Sequence, residues 1–135
     1  MNVIIIAALI GWCATIANQD PTWIANVNGA PLSIVAKGRT ISIRNSTEGS
    51  VSSFRLGCIH IRPRRLVVVH HFAIEKIAIP PHGATIKASF DGVPDEQARC
   101  QGMRAKLTVL ETTFENKDTW HFPVNSPFAP KVEGK

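Results

Sequence analysis

The sequence predicts an all-β protein, an antiparallel sandwich of seven or eight short strands, with a small β-barrel as the alternative. Three observations point there. Short apolar and β-branched runs alternate with polar residues, turn signals recur about every eight to twelve residues, and no amphipathic helix longer than about two turns can be drawn. Size agrees: 135 residues, 44% hydrophobic and 19% charged, suit one domain with a real core. These figures exclude a multidomain enzyme, a disulfide-dense miniprotein and long disorder.

The first segment is an address rather than a strand. Residues 1–17 carry no charged side chain, and positions 3–12 form an apolar run of about ten residues. A membrane span needs roughly 20, so the run fits the apolar region of a secretory signal peptide. Thr15-Ile16-Ala17 supplies the small residues of a cleavage site, with Ala17 the residue cut. A buried first strand is the competing reading. A lipoprotein anchor at Cys13 would want a small residue before it, where Trp12 stands. Cleavage leaves the net charge at +5, because the removed piece is neutral. The sandwich is then expected over residues 18–122 and a flexible Pro-rich tail over 123–135, with no transmembrane helix in the mature chain.

The strands follow in order. Residues 22–27 (TWIANV) and 32–36 (LSIVA) flank Asn28-Gly29, a dipeptide suited to a tight turn with positive φ. Residues 40–45 (TISIRN) alternate cleanly, and a polar turn at 46–50 leads to residues 51–61, where Gly57 marks a bulge or a close approach. Arg62-Pro63-Arg64-Arg65 interrupts the strands. Residues 66–79 are the most apolar stretch, but Ile77 and Ile79 fall out of phase with Leu66–Ile74, so a bulge or break is expected near Glu75-Lys76. Pro80-Pro81-His82-Gly83 is a turn, and residues 84–90 form the next strand. The polar segment 93–103 suits a loop or one short helix, and residues 104–114 with 119–122 form a closing hairpin.

Several of these runs resemble a known class. Residues 41–47 (ISIRNST) through 51–56 (VSSFRL), then 67–69 (VVV) and 79–83 (IPPHG), look like small exported immunoglobulin-like β-sandwich modules of bacteria. Residues 107–114 followed by Asn116-Lys117-Asp118-Thr119-Trp120 are similar to their closing hairpin, from which this chain departs in having no Gly. The resemblance implies the sandwich fold and carries over no catalytic residue.

With Cys13 removed, Cys58 and Cys100 are left, an even count in an oxidising compartment, which favours one intramolecular disulfide over two buried thiols. Among the five histidines, His60, His70 and His71 are the candidates for a metal site, but consecutive strand residues point to opposite faces. Arg62, Arg64 and Arg65 are the candidate polyanion contact; charge protecting a strand edge is the competing account. The mature chain has two Trp, six Phe and no Tyr, which disfavours a sugar-binding platform, and Trp23 and Trp120 read as core plugs. Asn45-Ser46-Thr47 fits a glycosylation acceptor, and its turn role already accounts for it. No nucleophile elbow, P-loop, zinc-helix or dinucleotide motif occurs.

The expected function is therefore a non-enzymatic exported module that binds a protein or a cell-envelope component and needs no cofactor. A small copper- or zinc-handling envelope protein is the alternative. Export makes nucleic acid a poor partner.

Overall fold

The computed structural model describes residues 22–90 and 92–123; the signal segment 1–17 and residues 124–135 of the expected tail lie outside them. Chain order is β1 (Leu32–Lys37), β2 (Thr40–Asn45), β3 (Val51–Ile61), β4 (Leu66–Glu75), β5 (Ala84–Lys87), α1 (Asp95–Gly102), β6 (Lys106–Phe114) and β7 (Thr119–His121). The strands make two antiparallel sheets, β1-β2-β5 and β4-β3-β6-β7. The expected all-β sandwich is the observed architecture. No helix among the described residues is long and apolar enough to cross a membrane.

Alternation explains the layers. Ile34, Ile41 and Ile43 of the smaller sheet are fully buried, as are Leu56, Cys58 and Leu107 of the larger one, and all belong to one cluster with Phe54 and Val109. Each such side chain contributes roughly 1.5–3 kcal/mol relative to exposure. A second cluster joins Val27, Ile59, Leu66, Leu110 and Phe122. Trp23 and Trp120 are half-buried and pack against the main core.

The first expected strand is different from the prediction. Residues 22–27 do not form a hairpin with β1 across Asn28-Gly29. Ile24 instead makes a parallel bridge to Leu107 in the other sheet, with the Leu107 N–H donating to Trp23 and the Ala25 N–H to Leu107, each at 2.9 Å. The side chain of Asn26 then stands in for a strand on β1: its Nδ2 donates to the Ile34 carbonyl at 2.9 Å, and its Oδ1 accepts from the Ile34 N–H at 2.8 Å. One amide satisfies both backbone groups of Ile34, so no hairpin is needed there. The β1–β2 hairpin turns at Gly38-Arg39 instead, with Gly38 at φ 58°, the positive value such two-residue turns need.

The apolar stretch breaks where expected, with β4 ending at Glu75, and relative to β3 it also carries extra residues between His71 and Ile74 and at Val69. β-bulges of this kind bend a strand and blunt its free edge. The polar segment expected as a loop or short helix is α1. It buries only Glu96 and Cys100. Eight residues are too few to hold a helix alone, and those two side chains anchor it: Cys100 is joined to Cys58 of β3, and Glu96 pairs with Lys87 of β5.

Candidate functional site

The basic turn lies at the free end of the β3–β4 hairpin. Arg62 N–H donates to the Arg65 carbonyl at 2.8 Å, closing the turn, and residues 61–65 are all exposed. Arg62, Pro63, Arg64 and Arg65 border one shallow concavity, so the three predicted arginines are brought together.

Two further cations join them from a distant part of the chain. The register of β3 with β6 sets Ile59 opposite Lys106. The disulfide, with Cα atoms of Cys58 and Cys100 5.3 Å apart, holds the end of α1 beside β3. The chain leaves α1 through Arg104, at φ 55°, whose N–H donates to Gln101 at 3.0 Å; the next N–H, of Ala105, donates to Cys100 at 2.8 Å. A hollow of about 320 Å³ results, lined by Ile59, His60, Ile61, Arg62, Arg104 and Lys106. Among the described residues, no carboxylate lines it.

His60 has a defined part in this hollow. Its Nε2 lies 3.1 Å from the Met103 carbonyl, which can only accept, so in the neutral ring Nε2 carries the proton. Nδ1 is then an acceptor, and Arg62 Nη2 approaches it at 3.4 Å. Lys106 Nζ donates to the Thr22 carbonyl. Arg62 is common to this hollow and to the concavity at the turn, so the two form one cationic end of the molecule.

Arg104 and Lys106 are not apparent from local sequence, because they lie about 40 residues beyond the turn. One signal does exist. Residues 49–74 and 97–110 hold seven Lys and Arg and no acid, and a Cys58–Cys100 bond brings those two stretches together.

The three candidate metal ligands do not converge. In the β3–β4 register, Cys58 faces His70, Gly57 faces His71, and His60 faces Val67. His70 meets the Phe72 ring edge-on, with centroids 4.7 Å apart, in a groove bordered by α1. His71 lies in a different hollow with Arg55, Val68, Leu110, His121 and Phe122. Among the described residues, no group of three or more His, Cys, Asp or Glu is placed to hold an ion. His82 pairs with Glu48 at 2.9 Å on the surface.

Charge of the other sign gathers near the start of α1. Glu75, Asp95 and Glu96 line a hollow of about 390 Å³ around Lys87. Lys87 Nζ donates to Glu75 at 2.9 Å and to Glu96. Burial alone would lower the Lys87 pKa, but these hydrogen bonds and charges outweigh it and raise it above the usual 10.5. α1 thus runs from an acidic cluster around Lys87 to the cationic end. Comparison with protein-family models, with curated proteins and with solved structures finds no match to this chain.

Proposed function

We propose that this protein is a non-enzymatic, exported binding module that attaches to an anionic component of the cell envelope through the cationic end of its larger sheet. One observation carries the reading. Arg62, Arg64, Arg65, Arg104 and Lys106, from two distant chain segments, border adjoining hollows with no carboxylate among the described residues that line them. Like charge gathered on a hairpin attracts polyanions and is an inefficient way to stabilise a fold. The uncharged apolar run at residues 1–17 and the disulfide support an exported setting. The resemblance to exported immunoglobulin-like modules supports the same setting.

The test is binding of the full chain to vesicles of anionic and of neutral lipid, and to a soluble polyanion, across a salt series. Affinity for the anionic targets should fall steeply as salt rises, because cation–polyanion contacts release counterions. The triple substitution Arg62→Gln, Arg64→Gln, Arg65→Gln should flatten that dependence and weaken binding. Equal retention of the triple variant, or equal binding to neutral vesicles, would overturn the proposal.

A further inference from the structure

We infer that the hollow between His60, Arg62, Arg104 and Lys106 is a specific seat for a phosphate group. This rests on reading the cationic end as the contact surface, and it names the chemistry recognised there. Arginines along a turn suit any row of negative charges. Three permanent cations around one hollow of about 320 Å³ suit a single compact group of more than one charge. A phosphate monoester meets that description, with close to two negative charges at neutral pH and three terminal oxygens for guanidinium and ammonium donors. The volume admits the phosphate together with the atom that carries it.

Two details give the hollow the character of a built site. Arg104 occupies the left-handed region at φ 55°, just past the end of α1. Glycine is the usual residue there, since any side chain costs on the order of 1 kcal/mol in that conformation. A long cationic side chain at such a position is better explained by what it reaches than by the turn it makes. His60 is the second detail. The Met103 carbonyl selects the tautomer, and the remaining ring nitrogen holds Arg62 Nη2 at the mouth of the hollow. His60 is thus a positioning residue, and the three cations are the binding groups.

Inorganic phosphate is the probe, titrated at constant ionic strength into the full chain and followed by backbone and arginine side-chain NMR. Saturable shifts are expected at residues 59–62 and 104–106, with a dissociation constant on the order of 1 mM. Sulfate, a dianion with similar acceptor oxygens, should compete for the same seat, and chloride at equal ionic strength should not. The decisive variant is Arg104→Gly, which removes the guanidinium and suits the positive φ. It should keep or raise the melting temperature while phosphate binding drops about tenfold or more. Lys106→Gln should also weaken binding, and Arg64→Gln with Arg65→Gln should leave it unchanged. His60→Phe should shift the Arg62 side-chain signal in the free protein, before any phosphate is added.

Phosphate shifts that are non-saturable, reproduced by chloride, or unchanged in Arg104→Gly would overturn the site. If anionic vesicles still bind in a salt-dependent way under those results, the proposed function survives and the phosphate seat alone fails. Loss of both would sink both. Vesicles bearing phosphatidic acid and a soluble polyphosphate distinguish a lipid headgroup from a polymer as source. Competition by inorganic phosphate in either arm supports the seat, and competition in neither counts against it.

Discussion

Leu110 occupies the space that a side chain at residue 57 would need. It is the extra residue of a bulge in β6, between the pairs Arg55–Glu111 and Leu56–Val109, and it lies over Gly57. A Cβ built on Gly57 would fall 2.2 Å from Leu110 Cδ1 and 2.6 Å from the His70 carbonyl oxygen. Leu110 can yield in part; a backbone oxygen in a paired strand cannot. Gly57→Ala should therefore lower stability by about 2–3 kcal/mol in urea denaturation. Adding Leu110→Ala should not restore it, because the carbonyl clash remains and a cavity is opened. Recovery in the double variant would show that Leu110 alone sets the requirement for glycine.

The Lys87 cluster joins three elements, β5, β4 and α1, through one ammonium. Lys87→Met would leave the Glu96 carboxylate, with its side chain only 10% exposed, buried without its partner. Breaking a buried pair in this way should cost about 3 kcal/mol at neutral pH, measured by thermal or urea unfolding. Lys87→Met with Glu96→Leu should recover most of it, since an apolar pair replaces the ionic one without leaving a charge. The raised Lys87 pKa also sets a pH window. Its stabilisation is complete below the unfolded value of about 10.5 and disappears as pH climbs through the higher folded value. The wild type should lose stability over that alkaline range by a component that Lys87→Met lacks.

Asn45 is 2% exposed, and its amide is fully engaged. Nδ2 donates to the carbonyls of Gly49, Pro80 and Ile79 at 2.7, 3.1 and 3.3 Å, while Oδ1 accepts from the Thr47 N–H at 3.0 Å and the Thr47 hydroxyl at 2.7 Å. This ties the β2–β3 turn to the chain that follows β4. Asn45→Ala should cost about 2 kcal/mol. Asn45→Asp should cost more, about 3 kcal/mol or above, because a carboxylate would face three carbonyl oxygens with no proton to give them. The same burial predicts that folded protein secreted from a glycosylating host carries no glycan on Asn45, which intact-mass spectrometry would read directly.

Where local pattern decides structure, the sequence was readable. Residues 40–45 alternate and form β2, and the β6–β7 hairpin needs only its two flanking strands and a polar turn. Residues 22–27 also look like a strand, but their apolar side chains are used across the sandwich, with Ile24 beside Leu107, and Asn26 replaces the missing partner of Ile34. Such a choice depends on which open edge is nearest in space, and no period records it. The candidate site divides in the same way. Arg62, Arg64 and Arg65 stand together in the sequence, whereas Arg104 and Lys106 reach the hollow only through the Ile59–Lys106 register and the Cys58–Cys100 bond.

That bond links stability to the proposed contact. It spans 42 residues, and closing such a loop is worth about 4 kcal/mol in the chain-entropy account, a large part of the 5–15 kcal/mol typical of a domain. Cys58→Ala with Cys100→Ala should lower the melting temperature accordingly. The loss should not be uniform. α1 buries little besides Cys100 and Glu96, so without the disulfide its C-terminal end keeps the His60–Met103 hydrogen bond, while the ion pair with Lys87 holds the opposite end of the helix. The amides of residues 98–105 should then exchange with solvent far faster than those of β3 and β6, as hydrogen exchange would resolve. Arg104 sits at the freed end, so phosphate affinity should fall, as it does not in Arg64→Gln with Arg65→Gln, even in conditions where the variant is folded. Uniform loss of protection, or unchanged phosphate binding, would mean that the register of β6 alone positions Arg104.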